Sequence, residues 1–172
     1  MTAVMLATYP ELFAGGAIIA GVPYKCADGI TQAGQCQSPL TKDQTPLEWG
    51  SLVRKASSHP GPFPRVSIWQ GATDKIVNPK NQQELVDQWT NVLGIDQIPD
   101  AEDTINGHAR KFYKDDKGRA LVETVSINDM GHGTPIAPDV ADNPCGKPTR
   151  FILSVGVCSS FYIARFWGID AP

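Results

Sequence analysis

Along the 172 residues hydrophobic positions fall in short blocks whose period changes from block to block, as expected for alternating helices and strands. Met1 to Tyr9 is apolar almost all round and has no N-cap before it, so it reads as the middle of a buried helix. Tyr9-Pro10 stops that helix. Ala14 to Ala20 then reads as a short strand of small residues that admit close backbone approach, closed by Gly21-Val22-Pro23. Tyr24 to Thr45 has no sustained period and is expected to be a long irregular excursion, functional or pinned by cysteines. Thr45 is the expected N-cap of a helix that starts at Pro46 and ends near Ala56.

Ser57 to Pro64 holds three prolines and reads as a rigid connector. Val66 to Trp69 is a buried strand stopped by Gly71. Asn78-Pro79 should open a helix to Leu93, with Pro at the first helical position and Leu85, Val86, Trp89, Val92 and Leu93 on one face. Gly94 is its expected C′ residue. Ile95 to Gly107 is expected to be loop. Ala109 to Lys114 and Ala120 to Ile127 flank Asp115-Asp116-Lys117-Gly118, which is a hairpin signal. Next comes a loop, Asn128 to Pro135, in which Gly131 and Gly133 bracket His132. Phe151 to Phe166 reads as a last buried helix ending at Trp167-Gly168. Helices alternating with strands predict an α/β fold, a mostly parallel sheet flanked by helices.

Charge and cysteine content narrow the picture. Fifteen Lys and Arg nearly match eighteen Asp and Glu, for a net charge of −3, and no basic run offers an electrostatic case for nucleic acid or an anionic membrane. The longest apolar runs, Ala17 to Ala20 and Phe151 to Val157, are too short to span a bilayer. Cys26, Cys36, Cys145 and Cys158 lack the CxxC spacing of zinc or redox sites. An even number in a Gly- and Pro-rich chain favours disulfides and an exported protein. Of the three connectivities, Cys26 with Cys36 and Cys145 with Cys158 is favoured, because local pairs need no assumption about distant parts. Met1 to Leu6 has neither the basic region nor the cleavage site of a signal peptide. With no phosphate loop and no metal-ligand constellation, no cofactor and no metal are expected.

The candidate chemistry lies in two loops. Asp74 follows the Val66 strand and precedes a helix, a position where functional groups collect in open parallel sheets. His132 follows a later strand. In an α/β-hydrolase the acid and then the histidine occur in that order. A histidine there must take a proton from a serine hydroxyl, and a carboxylate on its other nitrogen fixes the tautomer and stabilises the imidazolium. Tyr24 and Pro135, on loops leaving the same sheet edge, are candidates for the substrate cleft. Trp69 is a third, although with Trp49 and Trp89 it also suits core packing. Against the catalytic reading, Asp74 would also serve as an ordinary helix cap. His59 and His108 sit in connectors and read as surface residues. Cys36, between Gln35 and Gln37, is a poor thiol nucleophile if it is disulfide-bonded.

Ile68-Trp69-Gln70-Gly71-Ala72-Thr73-Asp74-Lys75-Ile76-Val77-Asn78-Pro79, with Met130-Gly131-His132 and Met1 to Pro10, resembles the polyhydroxybutyrate depolymerase-type esterases, a family that includes feruloyl and acetylxylan esterases. The resemblance runs over essentially the whole chain. It implies an α/β-hydrolase fold, secretion, a polyester or carbohydrate-ester substrate, Asp74 as triad acid and His132 as general base. It also implies a Gly-x-Ser-x-Gly nucleophile elbow just before a segment like Met1 to Pro10. None of Ser38, Ser51, Ser57, Ser67, Ser126, Ser154 and Ser159 has those flanking glycines. Residues 1–172 are therefore expected to form one incomplete α/β-hydrolase domain, its carboxyl-terminal portion, carrying two triad members and inactive alone. Its expected partners are the missing amino-terminal half or a second copy paired through an exposed sheet edge. The alternative is a non-catalytic binding or interaction module.

Overall fold

A computed structural model describes residues 1–38, 43–140 and 144–169; parts of the expected Tyr24 to Thr45 excursion and of the Pro-rich stretch before Pro148 lie outside them. In chain order the elements are α1 (Thr2–Thr8), a single 3-10 turn (Pro10–Leu12), β1 (Gly15–Ile19), α2 (Ile30–Gln37), α3 (Pro46–Arg54), β2 (Arg65–Gly71), α4 (Asn81–Leu93), β3 (Ala101–Ile105), β4 (His108–Lys114), β5 (Ala120–Ile127), β6 (Thr134–Ile136), β7 (Ile152–Ser154) and α5 (Ser159–Trp167). The main sheet has the order β1-β2-β5-β4-β3. Strands β1, β2 and β5 are parallel, and only β4 runs against the others. Strands β6 and β7 form a small parallel pair of their own.

Strand β2 is covered on both faces, and its side chains sort by parity as the two-residue period requires. Val66 and Ile68 join Leu6, Val53, Leu85, Val86 and Trp89 in a core under α1, α3 and α4. Trp69 joins Val125, Ile127, Met130, Val157 and Ile163 in a second core under α5. The glycine pair at the start of β1 lets helices close on both faces. A Cβ on Gly16 would come within 2.4 Å of Leu6, and one on Gly15 within 2.5 Å of Trp167.

Helix α3 starts where Thr45 and Glu48 form a reciprocal capping box, with Pro46 at its first position. Helices α4 and α5 end at Gly94 and Gly168 with φ of 72° and 74°, the left-handed conformation that glycine adopts at least cost. Helix α4 begins later than the sequence predicts. Asn78 Oδ1 accepts from Lys80 N at 3.0 Å, so Asn78 to Lys80 form a turn and the helix starts at Asn81.

Three expectations are corrected. The stretch from Tyr24 contains a helix, α2, which has no strong apolar face and is held by other means. Cys36, in its last turn, is bonded to Cys26, which lies ahead of the helix, Asn81 Nδ2 donates to Cys36 O at 3.0 Å, and Asn78 N donates to Gln37 O at 3.0 Å. The expected loop from Ile95 contains β3, an edge strand whose Glu102, Asp103 and Thr104 face solvent and so hide its period. Its turn, Asn106-Gly107 with φ of 49° and 81°, is a strong local hairpin signal. The expected helix from Phe151 begins only at Ser159. Ile152 to Ser154 pair with β6 instead, and Gly156 takes a φ of 73°. The second disulfide, Cys145 to Cys158, ends at the N-cap of α5. Among the described residues no helix is long and apolar enough to cross a membrane.

Candidate active site

Strands β2 and β5 are parallel neighbours in a register that sets Gly71 beside Ile127, so the loops leaving them emerge side by side. They are stitched together by backbone. Ala72 N donates to Ile127 O at 2.9 Å, and Thr73 N donates to Met130 O at 3.0 Å. Thr73 Oγ1 donates to the same carbonyl at 3.0 Å. The approach is possible because residue 71 has no side chain: a Cβ there would lie 2.4 Å from the carbonyl oxygens of both Met130 and Gly131.

This brings Asp74 and His132 together. His132 Nδ1 lies 2.9 Å from Asp74 Oδ2. Asp74 is buried, at 4% exposure, and its carboxylate is fully engaged. Oδ1 accepts from the backbone N–H groups of Ile76 and Val77 at 2.8 and 2.9 Å, and Oδ2 also accepts from Gln70 Nε2 at 2.9 Å. A carboxylate only accepts, so the imidazole proton sits on Nδ1, leaving Nε2 as the free acceptor. The His132 ring is partly exposed and meets the Phe151 ring edge to face, centroids 5.7 Å apart.

His132 lines a cleft of about 380 Å³ with residues 1–4 of α1, residues 18–27 after β1, Gln37 and Val77. Tyr24 is one of its walls. Buried Gln88 holds the Tyr24 backbone on both sides, accepting from its N–H at 2.8 Å and donating to its carbonyl at 3.1 Å. Two candidates for the cleft do not reach it. Trp69 is fully buried, and its indole N–H donates to Ser67 Oγ at 2.7 Å, because its odd position on β2 points it under α5. Pro135 is buried in β6, where its carbonyl accepts from Ser159 Oγ at 2.8 Å. His59 and His108 are half-buried and bond backbone, at Pro62 O and Asn128 N. Cys36 is buried in its disulfide.

Two neighbours of the pair escaped the sequence reading. Gln70 lies inside a strand and carries no catalytic signature. Phe151, 44% exposed, was assigned to a buried helix, and only the pairing of β7 with β6 turns it beside His132.

The chain is 53% identical over 170 residues to a poly(3-hydroxyalkanoate) depolymerase C of Paucimonas lemoignei, covering 98% of this chain and 41% of that protein. The chain is a relative of the polyhydroxybutyrate depolymerase-type esterases. An acetylxylan esterase of Coprinopsis cinerea is 41% identical over 142 residues, covering 78% of this chain and 37% of its own length. A feruloyl esterase B of Talaromyces stipitatus is 30% identical over 142 residues, covering 78% of this chain and 39% of its own. This depolymerase and esterase relative thus spans about two fifths of the length of those proteins. No family model matches it. Its fold superposes on an acetyl xylan esterase from Aspergillus awamori with a TM-score of 0.70 at 23% identity, over 98% of this chain and 55% of the other. The architecture is thus α/β, the carboxyl-terminal portion of an α/β-hydrolase fold, its mostly parallel sheet flanked by helices.

Proposed function

We propose that residues 1–172 are part of a single α/β-hydrolase domain of a carboxylic ester hydrolase, in which Asp74 orients His132 and His132 is the general base. The observation that carries this reading is the 2.9 Å contact of His132 Nδ1 with a saturated, buried Asp74 carboxylate, with His132 lining a cleft. A serine hydroxyl attacks the ester carbonyl as His132 Nε2 takes its proton. The ester C–O bond breaks as the protonated His132 gives that proton to the leaving alcohol, and the acyl-enzyme is then cleaved by water that His132 activates, releasing the acid and the free serine. None of the described hydroxyls bonds His132, and α1 forms the cleft wall beside it, so we place this serine and its oxyanion donors in a segment ahead of Met1. The 172 residues alone are then inactive.

A hydroxyalkanoate polyester or its oligomers are the favoured substrate, because the depolymerase relative matches nearly the whole chain at 53% identity. A feruloyl or acetyl ester on plant polysaccharide is the second reading, supported by the esterase relatives. Two disulfides support export. Strand β1 is an edge of the sheet, and Met1, Val4 and Tyr9 expose apolar surface beside it. This is where the rest of the domain, or a second copy, would pair.

The test is hydrolysis of p-nitrophenyl butyrate and of poly(3-hydroxybutyrate) by the 172-residue protein and by the product of the reading frame extended upstream. Turnover by the extended protein alone, abolished by His132→Ala, is expected. Turnover that survives His132→Ala would refute the assignment. Turnover by the short protein, lost in His132→Ala, would place the nucleophile inside it.

A further inference from the structure

We propose that Gln70 is the positioning residue of the Asp74–His132 pair, setting which way the Asp74 carboxylate faces; this rests on the reading of Asp74 and His132 given above. The two carboxylate oxygens are held by different parts of the molecule. Among the described residues Oδ1 is bound only by the backbone of its own loop, at Ile76 and Val77, the pattern of an aspartate that merely braces a turn. Oδ2, the oxygen that meets His132, receives a second bond from Gln70 Nε2 at 2.9 Å. The loop therefore anchors Asp74 and Gln70 aims it.

Gln70 is built for this. It is 2% exposed, and its backbone lies in β2, paired with Ser126 of β5 one residue beyond the last β1 pairing, Ile19 with Trp69. Its amide nitrogen has a second acceptor, Val77 O at 3.2 Å. Both N–H groups are thus spent on acceptors, and a flipped amide would set oxygen against both Asp74 Oδ2 and Val77 O. The donor orientation is dictated by its surroundings. Because Val77 also lines the cleft, Gln70 ties the cleft wall and the carboxylate to one rigid strand, which is what a preorganised pair requires.

The experiment is ¹H–¹⁵N NMR of the His132 imidazole in the 172-residue protein, assigned by its loss in His132→Ala. The wild type should show a hydrogen-bonded Nδ1–H that Asp74→Asn removes. If it is absent, or persists in Asp74→Asn, the acid and base reading fails and the positioning role with it. Gln70→Leu removes the donor, and Gln70→Asn withdraws it by one carbon–carbon bond, about 1.5 Å. In both, solvent exchange of the Nδ1 proton should rise about tenfold or more, as expected for losing a charge-assisted bond, while amide signals elsewhere stay dispersed. Gln70→His, whose Nε2 lies the same number of bonds from Cβ, should restore protection. Unchanged exchange in folded Gln70→Leu or Gln70→Asn overturns the proposal. So does loss of fold in both, which would make the role structural, and so does failure of Gln70→His to differ from Gln70→Leu.

Discussion

His132 Nδ1 and Asp74 Oδ2 are 2.9 Å apart although 58 residues separate them in the chain. The contact exists because β2 and β5 are parallel neighbours, separated in sequence by α4 and the β3–β4 hairpin. Substituting Asp74 with Asn should leave the size unchanged but present the ring with an amide that can hold the wrong tautomer. In the extended protein proposed above, kcat should fall on the order of 10⁴-fold, with KM nearly unchanged. A fall below tenfold would argue that Asp74 serves only to brace its turn.

Gly71→Ala tests the backbone contact that lets the two loops meet. The added Cβ would sit 2.4 Å from two carbonyl oxygens, and neither can retreat without moving the His132 loop. Stability should drop by about 1–3 kcal/mol, the usual cost of forcing atoms into a packed site, and the His132 Nδ1–H signal should weaken. Urea unfolding and the same NMR resonance provide the check. A variant as stable as wild type with an unaltered signal would refute the packing argument.

The Cys26–Cys36 bond should matter to the cleft as well as to stability. It holds α2, and Gln37 at the end of that helix lines the cleft with His132. Replacing both cysteines with Ser should cost about 2–3 kcal/mol, as for closing a short loop. In the extended enzyme it should raise KM more than it lowers kcat, because Asp74 and His132 stand on other elements. A kcat loss with KM untouched would contradict this division.

Glu123 gives a pH dependence that is independent of catalysis. It is fully buried on β5, accepting from Ser67 Oγ at 2.6 Å through Oε1, while Oε2 has no partner among the described residues. Burial pushes its carboxyl up to about 7, against the opposing pull of Ser67, Arg110 and Arg65. Between the ordinary value of 4.5 and about 7 the folded chain keeps a proton that the unfolded chain has lost. Stability from this group is therefore complete below the lower value, falls as pH rises through the window, and is level above it. The full swing is about 3 kcal/mol. Urea midpoints at pH 5 and pH 8 should show it in the wild type and not in Glu123→Gln. Equal slopes in the two proteins would exclude Glu123 as the source.

Much of the fold was legible because the physics is local. The N-cap at Thr45, the C′ glycine at 94, the helix end at Trp167-Gly168 and the β4–β5 turn each depend on residues within a few positions of one another. Elements that lean on distant partners were not legible: α2 depends on a disulfide and on Asn81, and β7 on β6. The edge strand β3 differs, since its turn is local and its period is hidden by its polar, solvent-facing residues. The site divides in the same way. Asp74 and His132 were visible as a loop acid and a loop histidine in the order of a known fold. Gln70 and Phe151 were not, since nothing in a strand glutamine or a lone phenylalanine announces which loop will fold against it.

The residue types at the strand ends, the helix boundaries set by caps, and the kinship to depolymerases and esterases can all be read along the chain. Packing between distant elements settled that Trp69 faces the core, that Pro135 is buried in β6 and that Tyr24 walls the cleft. It also decided that the Asp74 carboxylate is aimed from β2. The physical reason is that side-chain direction in a sheet follows from register and from the layers packed on each face, and both are set by contacts between residues far apart in the chain.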